Sequence, residues 1–471
     1  MATPQALPTA WSPERPAAQR RVAYVMNGFP RLSETFITHE IHQLERLGLG
    51  LRLFSVKREN EPMVHPVVAS IRAPLTYLPK ATSLSGTNLG RWLADNLPAF
   101  GAAHLRVVSR HPLRWLGALG SAVALAWRHR GRDEAGQFRL RKVFIKEFLQ
   151  AGEIADQVMR AGDVGHLHGH FCHGVATITW LASRMSGIGF SFTAHAKDIY
   201  QAELNPGRLL ERKLCAARFV ATCTCANAQV LRARHARPDE VHAIYHGLDT
   251  DWFAPAQDLV SQEADGRPLI LSVGRLVEKK GFDHLVEACA RLRDVGVLFR
   301  CVIVGESGSA RATIQDLIEL RGLGDQVRLR GAVAQDELRR IYAQARVFAL
   351  PCQIMEDGDR DGFPNVLAES MAMGVPVVST RISGIPEFID DDVHGLLVEP
   401  RDASALALAL QRVIEDGAVH ARLAHAGRER ICDRFDSRRT TLALRNLFCR
   451  ELETGPGAAP LATGPTAQVG A

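Results

Sequence analysis

An acidic segment in the last third of the chain carries the clearest signs of chemistry, and it reads DGDRDGFPNVLAESMAMG over residues 357–374. Alternating carboxylates of this kind hold Ca²⁺ in helix–loop–helix sites. The calcium pattern fails at its twelfth position, which is Ala368, because the one Glu of the segment comes a residue later. One residue on a helix turns a side chain by about 100°, so Glu369 would point away from the ion.

A paired-carboxylate site for Mg²⁺ or Mn²⁺ is a second interpretation of the same loop. The spacing Asp-x-Asp occurs twice, in Asp357/Asp359 and in Asp359/Asp361. Carboxylate pairs are common by chance in an acidic loop. A bridging metal pair would also be expected early in a single mixed sheet, whereas this loop lies late in an alternating domain.

The third interpretation uses the helix that follows the turn Gly362-Phe363-Pro364. If Pro364 occupies the first helical turn, the next backbone amides lack acceptors at a positively polarised helix end, which is an anion site. Those amides belong to Asn365, Val366 and Leu367. Asp361 then lies just before the helix and Glu369 within it, where two carboxylates can accept hydrogen bonds from hydroxyl groups of one extended ligand.

The elements around this loop alternate between short apolar strands and amphipathic helices, which predicts parallel α/β sheets. A first series begins at RRVAYVMNGFP, where the strand pattern breaks at Asn27-Gly28 and Ser33 is expected to cap the next helix. A second series begins at PLILSVGRL and is doubly wound. We therefore predict an α/β protein of two Rossmann-like domains facing each other across a cleft. The predicted divisions are a disordered arm (1–20), a first domain (21–250), a linker (251–268), a second domain (269–433), a helix (434–453) and a disordered tail (454–471).

Composition restricts the class of protein. The first 250 residues hold 31 Lys and Arg against 19 Asp and Glu, whereas the whole chain has 57 against 51, so the basic excess lies in the first half. The nine cysteines lack the paired spacing of a zinc ribbon or a disulfide scaffold, which indicates a reducing cytoplasm. The longest uncharged apolar run, residues 115–127, is too short to span a membrane.

A basic helical insertion over residues 89–146 interrupts the first domain. Arg alternates there with Leu, Trp and Val, as in a helix that lies on an anionic lipid surface. The alternative is an ordinary amphipathic helix packed on the first domain.

A histidine-rich strand, GHLHGHFCHG, is a second candidate for metal chemistry. His166, His168 and His170 alternate along it and His173 follows, a spacing that suits Zn²⁺ or Ni²⁺. An adjacent carboxylate is missing from the segment, so the same histidines can equally line a cleft.

Several motifs in order resemble the retaining glycosyltransferases of family 4, which have the GT-B fold. The segment DGFPNVLAESMAMGVPVVST is similar to the family signature of two acids separated by seven residues, with Asp361 at the position that is commonly Glu. SVGRLVEKKGFDHLVEA is similar to the family's diphosphate-binding segment, with Arg275 and Lys280 as the matching cations. The segments VIVGE, LRGAVAQDEL and YHGLDTDWF follow in family order, and the likeness covers roughly residues 20–450.

The resemblance implies roles for residues of the first domain. His195, in SFTAHAKDIY, matches the histidine that contacts the donor sugar near its reacting carbon, and Asp198 would bind the acceptor or orient the loop. His170 would line the cleft. Asn27 and Gly28 match the first strand–helix loop, where small residues let the donor diphosphate and the acceptor approach.

The function implied is a metal-independent hexosyl transfer from a UDP-, GDP- or ADP-sugar to a lipid-linked or free saccharide in exopolysaccharide synthesis. Catalytic roles fall to His195, Asp361 and Glu369. Donor binding falls to Arg275, Lys280, Gly28, Gly362, Phe363, Pro364, Asn365, Val366 and Leu367, with the base near 331–338. Colanic-acid-type enzymes are the nearest in pattern, which implies a cytoplasmic protein peripheral to an anionic membrane.

Two other classes stay open at this point. One is a GT-B enzyme of another reaction, such as a nucleotide-sugar epimerase or a phosphorylase. The other is a non-enzymatic anion or nucleic-acid binder, against which aromatic residues make up only 6% of the chain and RNA-binding aromatic motifs are missing.

Overall fold

The computed structural model describes residues 20–31, 34–59, 65–132, 138–255 and 266–454. Within them the chain forms two parallel α/β domains, which confirms the predicted fold class. The predicted cap Ser33, most of the two terminal arms and the middle of the linker lie outside the described residues.

The first domain is built on one parallel sheet with the strand order β3-β2-β1-β6-β7-β8-β9. Its strands, with the short antiparallel pair β4–β5 of the insertion, are β1 (Arg21–Phe29), β2 (Leu51–Arg58), β3 (Leu75–Tyr77), β4 (Gly131–Arg132), β5 (Phe138–Arg139), β6 (Val164–His170), β7 (Phe190–Ala194), β8 (Val220–Thr222) and β9 (Val241–Ala243). The helices are α1 (Thr35–Arg46), α2 (Leu89–Arg110), α3 (Pro112–Arg128), α4 (Val143–Ala161), α5 (Val175–Ser186), α6 (Ala196–Tyr200), α7 (Leu209–Ala216) and α8 (Cys225–Arg232). Every residue of β6 and β7 is buried, as expected for parallel strands covered by helices on both faces.

The second domain has the strand order β12-β11-β10-β13-β14-β15, again parallel throughout. The strands are β10 (Leu269–Val273), β11 (Arg300–Val304), β12 (Val327–Arg330), β13 (Ala345–Leu350), β14 (Val377–Thr380) and β15 (Leu396–Val398). The helices are α9 (Phe282–Asp294), α10 (Arg311–Leu320), α11 (Gln335–Gln344), α12 (Asn365–Ala372), α13 (Ile385–Phe388), α14 (Ala403–Glu415), α15 (Gly417–Arg434) and α16 (Ser437–Thr454). In each sheet the strand order reverses at the first strand, β1 or β10, because both of its neighbours follow it in the chain. Parallel sheets bind ligands at such a reversal.

The last helix, α16, returns to the first domain and packs against α1 and β6. Arg445 donates to the carbonyl of Leu47 at 2.9 Å. Phe448 is fully buried and contacts the rings of His168 and Phe219. The chain therefore crosses between the domains twice, once in the linker and once before α16.

A carboxylate also joins the domains. Glu387, on α13 of the second domain, accepts hydrogen bonds from the amides of Cys225 and Ala226 at 2.7 Å each. These amides begin α8 of the first domain, where a negative charge is favourable. The Tyr245 hydroxyl donates to the same carboxylate at 2.8 Å.

The insertion forms helices α2 and α3, which pack against each other and on α4 and α5. One side of each helix is buried through Trp92, Phe100 and Val107 in α2 and through Ala118 and Leu125 in α3. The packed amphipathic arrangement is therefore present, and it leaves a second, exposed apolar side that includes Leu105, Leu113 and Trp127.

The structure corrects one predicted break and adds elements that the pattern did not show. Strand β1 continues through Asn27 and Gly28 to Phe29, because Gly28 and Phe29 pair with Lys57 and Arg58 of β2. Strand β15 and helices α14 and α15 complete the second domain. Among the described residues, no helix is both long and apolar enough to cross a bilayer.

The packing of α16 against the first domain can be tested by substitutions on this helix. Replacing Phe448 by Ala should lower the free energy of unfolding by about 3–5 kcal/mol, because a fully buried ring leaves a cavity between α16 and β6. Leu442→Ala, on the same helix but 42% exposed, should change it by about 0.5 kcal/mol or less. Urea denaturation followed by circular dichroism measures both, and equal losses would contradict this packing.

Candidate active site

A cavity of about 680 Å³ lies where the carboxyl ends of the two sheets face each other. Most residues singled out in the sequence line it: Asn27, His195, Arg275, Lys280, Asp361, Gly362, Phe363, Pro364, Asn365, Val366 and Glu369. Four others do not, namely Gly28, His170, Asp198 and Leu367. Gly28 is part of β1, where a side chain would collide with Glu59.

Helix α12 begins one residue later than the sequence suggested. Pro364 is its N-cap, with extended backbone angles, and Asn365 is the first helical residue. The amide of Leu367 donates to the Pro364 carbonyl at 3.0 Å, so it is not free, and its side chain is in the core. The amides of Asn365 and Val366 have no hydrogen-bond acceptor among the described residues, and they form the polarised helix end that faces the cavity.

Asp361 is engaged by lysines, which the sequence analysis did not predict. Its carboxylate lies 2.7 Å from Lys280 Nζ and 3.7 Å from Lys279 Nζ. Burial opposes its ionisation, yet the two ammonium groups hold the pKa of Asp361 below its ordinary value. Burial likewise disfavours the charge of Lys280, and Asp361 holds the pKa of Lys280 above its ordinary value. Both groups are therefore ionised, and this carboxylate is a partner of the lysines before any ligand arrives.

The loop that carries these lysines depends on one glycine. Lys279 and Lys280 end a short 3₁₀ turn, and Gly281 follows with φ +67 before α9 begins. A Cβ there would lie 2.0 Å from the carbonyl oxygen of Pro351. Only glycine fits such a left-handed position against a backbone wall, so Gly281 fixes the direction of both side chains.

Arg275 follows β10 on the same edge of the cavity. Its side chain is exposed and forms no ion pair with any residue that the structure describes. It is therefore a guanidinium available for an anionic ligand, opposite the free amides of α12.

Glu369 is 7% exposed, on the face of α12 toward α11. Its carboxylate accepts a hydrogen bond from the Tyr342 hydroxyl at 3.0 Å. Burial raises the pKa of Glu369 to about 7, although the Tyr342 hydrogen bond acts to lower it. This carboxylate is costly to ionise without a ligand, and an acid of this kind is typical of functional sites.

His195 ends β7 and caps α6 on the first-domain side of the cavity. It is surrounded by rings, with Phe171 at 4.7 Å, Phe36 at 5.4 Å and His246 at 5.1 Å between centroids. Burial, followed by the neighbouring His170 and His246, holds the pKa of His195 well below its ordinary value. The imidazole is therefore neutral at neutral pH.

Asp198 is buried behind His195 and outside the cavity. It accepts hydrogen bonds from the amides of His195, at 2.7 Å, and of Cys172, and it lies 3.5 Å from His173 Nδ1. Of the two roles that the resemblance implied, this position fits orientation of the loop and not contact with an acceptor.

The histidines of β6 are satisfied by neighbouring strands. His166 and His168 each bond the Ser191 hydroxyl at 2.8 Å, and His168 also bonds Thr193 at 3.0 Å. A different set could hold a metal: the donor atoms of His195, Cys223 and His246 all lie within 4.8 Å of one another. Two imidazoles and a thiol suit a borderline ion such as Zn²⁺, although burial raises the pKa of the Cys223 thiol to about 12.

Sequence reasoning missed Lys279, Tyr342 and His246, which belong to this site. It also missed Tyr24 and Glu40 of the first domain, where the Tyr24 hydroxyl donates to the Glu40 carboxylate. Lys279 is adjacent to a predicted cation, so the doubled lysine was a usable signal. Tyr342 and Glu40 look like ordinary helix residues in the sequence, and only the tertiary contacts reveal them.

Comparisons with known proteins agree with this arrangement. Residues 255–430 match the family described as Glycosyl transferases group 1. The chain is 29% identical over 405 residues to the putative colanic acid biosynthesis glycosyltransferase WcaL of Escherichia coli (strain K12), covering 83% of this chain and 89% of that protein. It is 31% identical over 305 residues to the D-inositol 3-phosphate glycosyltransferase of Saccharomonospora viridis, covering 60% of this chain and 69% of that protein.

A solved structure has the same fold. Alr3699/HepE of Anabaena, crystallised with UDP and glucose, aligns with a TM-score of 0.66 at 14% identity, over 91% of this chain and 100% of that chain. At this identity the likeness shows a shared fold, the two-domain GT-B arrangement.

The buried acid gives a test that is independent of any ligand. The ordinary pKa of Glu is 4.5 and that of folded Glu369 is about 7, so folding takes up a proton between these values. The contribution of Glu369 to the free energy of unfolding therefore falls as the pH rises, and the full cost of ionising this buried carboxylate is present above about pH 7. Glu369→Gln should raise the free energy of unfolding by up to about 3 kcal/mol at pH 8 and by little at pH 4.5.

Thermal and urea unfolding at the two pH values measure this difference. Glu319→Gln, on an exposed side of α10, is the matched control and should change stability by about 0.5 kcal/mol or less. A Glu369→Gln protein that is no more stable than the wild type at pH 8 would contradict the raised pKa.

Proposed function

Because the chain belongs to the glycosyl transferases group 1 family, we propose that it is a retaining, family 4 glycosyltransferase. It transfers a hexosyl group from a nucleoside-diphosphate donor to a saccharide acceptor. The observation that carries this proposal is the meeting, at one edge of the cavity, of the free amides of α12 with the cations Arg275 and Lys280.

The second domain supplies the donor site in this proposal. The base lies near residues 331–338, of which Ala332, Val333, Gln335 and Leu338 line the cavity. Glu369 accepts hydrogen bonds from the ribose, and ligand hydroxyls offset the cost of ionising this buried acid. The donor class is a UDP-, GDP- or ADP-sugar, and the complex of HepE with UDP and glucose supports a nucleotide sugar.

The diphosphate is bound by side chains and amides without a metal ion. Arg275, Lys280 and Lys279 carry positive charge into the cavity, and Asp359 and Asp361 balance part of it. One uncompensated cation and two polarised amides then remain for the diphosphate. Charge-assisted hydrogen bonds of this kind can stabilise a leaving diphosphate in the way that a divalent cation does elsewhere.

The first domain supplies His195 and the acceptor side. Closure of the cleft brings His195 against the donor sugar, where its neutral ring and its carbonyl face the developing oxocarbenium charge. The acceptor hydroxyl attacks the anomeric carbon from the face of the leaving group. The bond from that carbon to the phosphate oxygen breaks, the new glycosidic bond forms, and the hydroxyl proton passes to the departing phosphate, so the configuration is retained.

The acceptor is proposed to be a growing exopolysaccharide unit, lipid-linked or free. The likeness to the colanic acid biosynthesis protein over 89% of its length supports this assignment. The same likeness favours glycosyl transfer over the alternative of an epimerase with this fold.

An anionic membrane surface is the proposed site of action. On α3, Leu113, Leu116, Val123 and Trp127 recur at helical spacing and are 83%, 54%, 47% and 60% exposed. Leu105 of α2 is 69% exposed. Arg110 and Arg128 end the two helices, so apolar and cationic groups share the surface, as interfacial helices do.

The donor assignment is tested by a thermal-shift screen of UDP-, GDP- and ADP-sugars with and without EDTA. One nucleotide class should raise the melting temperature, and EDTA should not remove the shift. Arg275→Ala should weaken the binding of that donor by about tenfold or more, because a charged hydrogen bond is lost. Arg291→Ala, at an exposed position of α9, should leave donor binding unchanged.

Product analysis then separates the reaction classes. Transfer with retained anomeric configuration, read by proton NMR, is the expected outcome. Conversion of the donor alone to its epimer, or binding of nucleic acid without donor turnover, would replace the proposal with one of its alternatives.

The membrane surface is tested by sedimentation with vesicles that contain anionic lipid. Leu113→Glu with Trp127→Glu should reduce vesicle binding by about fivefold or more, because charges replace the inserted side chains. Leu408→Glu, 67% exposed on α14 of the second domain, is the matched control and should bind like the wild type. Failure of the wild type to bind vesicles, together with full activity on a soluble acceptor, would remove this surface from the proposal.

A further inference from the structure

We propose that Glu40, Tyr24 and His170 are positioning residues, which form a hydrogen-bonded chain that decides which ring nitrogen of His195 carries its proton. The inference rests on the proposed function, because it concerns how His195 is prepared to face a donor sugar. None of the three lines the large cavity, and the hydrogen bonds lead from Glu40 through Tyr24 and His170 to His195, which does line it.

The chain runs through four elements of the first domain. Glu40 of α1 accepts a hydrogen bond from the Tyr24 hydroxyl of β1. The Tyr24 oxygen lies 2.6 Å from His170 Nδ1, at the end of β6. His170 Nε2 lies 2.9 Å from His195 Nε2, at the end of β7. Tyr24 and His170 are fully buried and His195 is 8% exposed, so the inner links of the series are shielded from water, whereas the Glu40 side chain at its outer end is 16% exposed.

Counting protons gives the chain a direction. An ionised Glu40 can only accept, so the single proton of Tyr24 is used toward it. The Tyr24 oxygen must then accept from His170 Nδ1–H, which leaves His170 Nε2 without a proton. His170 Nε2 accepts in turn from His195 Nε2–H, and His195 Nδ1 is left as an acceptor, for a hydroxyl group of the donor sugar or for the Asp198 amide in the capping box of α6.

His170 is distinguished from the other histidines of its strand. His166 and His168 are bonded to hydroxyl groups of β7, which can adapt to either tautomer. His170 instead lies between a phenol and a second imidazole, where each proton position dictates the next. Burial holds the pKa values of both His170 and His195 well below the ordinary value, so the tautomer, rather than the charge, is the variable.

The outer end of the chain can titrate near neutrality. Burial raises the pKa of Glu40 to about 7, against the lowering effect of the Tyr24 hydrogen bond. The titratable groups that face it are Tyr24, His170, with Nδ1 at 3.9 Å, and Tyr245 and His246 across a small pocket. From α16 that pocket is lined by uncharged Ser437, Thr440 and Thr441. When Glu40 takes up a proton it can donate to Tyr24, and the series can reverse so that His195 Nδ1 carries the proton.

Two variants test the chain in the full-length protein. Tyr24→Phe removes the central link, and Tyr77→Phe is its control, because Tyr77 bonds only the Phe29 carbonyl, at 3.2 Å. Glu40→Gln keeps the shape but does not titrate, and Glu153→Gln on α4 is its control. The measurements are kcat with saturating nucleotide sugar from pH 5.5 to 9, the Kd of the nucleoside diphosphate, and the tautomer of His195 by ¹⁵N NMR, assigned with His195→Gln.

In the wild type, kcat should fall below about pH 7 while His195 changes from the Nε2–H to the Nδ1–H tautomer. Tyr24→Phe should lower kcat by about tenfold or more above pH 7 and leave the Kd within about twofold, a split that general destabilisation would not give. Glu40→Gln should abolish the pH dependence of the tautomer and of kcat between pH 6 and 8. The two controls should match the wild type.

The inference is overturned if the His195 tautomer and its pH dependence are the same in the wild type, Tyr24→Phe and Glu40→Gln. It is also overturned if Tyr24→Phe loses nucleotide affinity in proportion to kcat, because the residue would then be structural only. The NMR comparison needs no substrate. A chain that behaves as stated in a protein that turns over no nucleotide sugar would refute the proposed function and leave the chain standing.

Discussion

The ion pair between Lys280 and Asp361, 2.7 Å apart at the bottom of the cleft, is the interaction on which the second half of the site depends. Ionic groups removed from water are stable only when each has partners. Lys279 and Asp359 complete a cluster in which Asp361 is shared by two ammonium groups. With Arg275 at the rim, the balance of charge is positive, and the free amides of α12 add to it. Carboxylates therefore hold the cations of the cleft in place, and the positive balance of charge is the basis of the proposed diphosphate site.

Parallel topology is what brings these groups together. The carboxyl ends of all strands in a parallel sheet lie on one edge, and the two sheets face each other with those edges. The groups at the two edges differ: cations and free amides lie at the edge of the second domain, and neutral imidazoles lie at the edge of the first. The Glu387 carboxylate on the amides of α8 and the return of α16 tie the two edges to one another.

Glu40 and Glu369, one on each side of the cleft, are held at a cost in stability. Burial raises the pKa values of Glu40 and of Glu369 to about 7. Each accepts a hydrogen bond from a tyrosine, and each adjoins a region to which we assign a function. A cost in stability of this kind is typical of functional sites, where activity and not stability is selected.

The fold could be predicted from the sequence, and most of the site residues chosen from the sequence line the cavity, because strand-end residues and helix starts are local features. The periodicity of β10 to α12 and the acids around α12 needed no tertiary information. What could not be predicted was which side chains form hydrogen bonds with each other across the fold. Tyr342 meets Glu369 across 27 residues of chain, and Tyr24 meets His170 across 146. The start of α12 was misplaced by one residue because a proline fits both the cap and the first turn.

The proposal that Arg275, Lys280 and the amides of α12 bind the diphosphate of a nucleoside diphosphate is tested most directly by a binding cycle. Calorimetry compares the nucleoside diphosphate with the monophosphate on the wild type and on Lys280→Met. The account predicts that the wild type prefers the diphosphate by about 30-fold or more and that Lys280→Met reduces this preference to about fivefold or less. An undiminished preference in the variant, or an equal loss of both affinities, would contradict it.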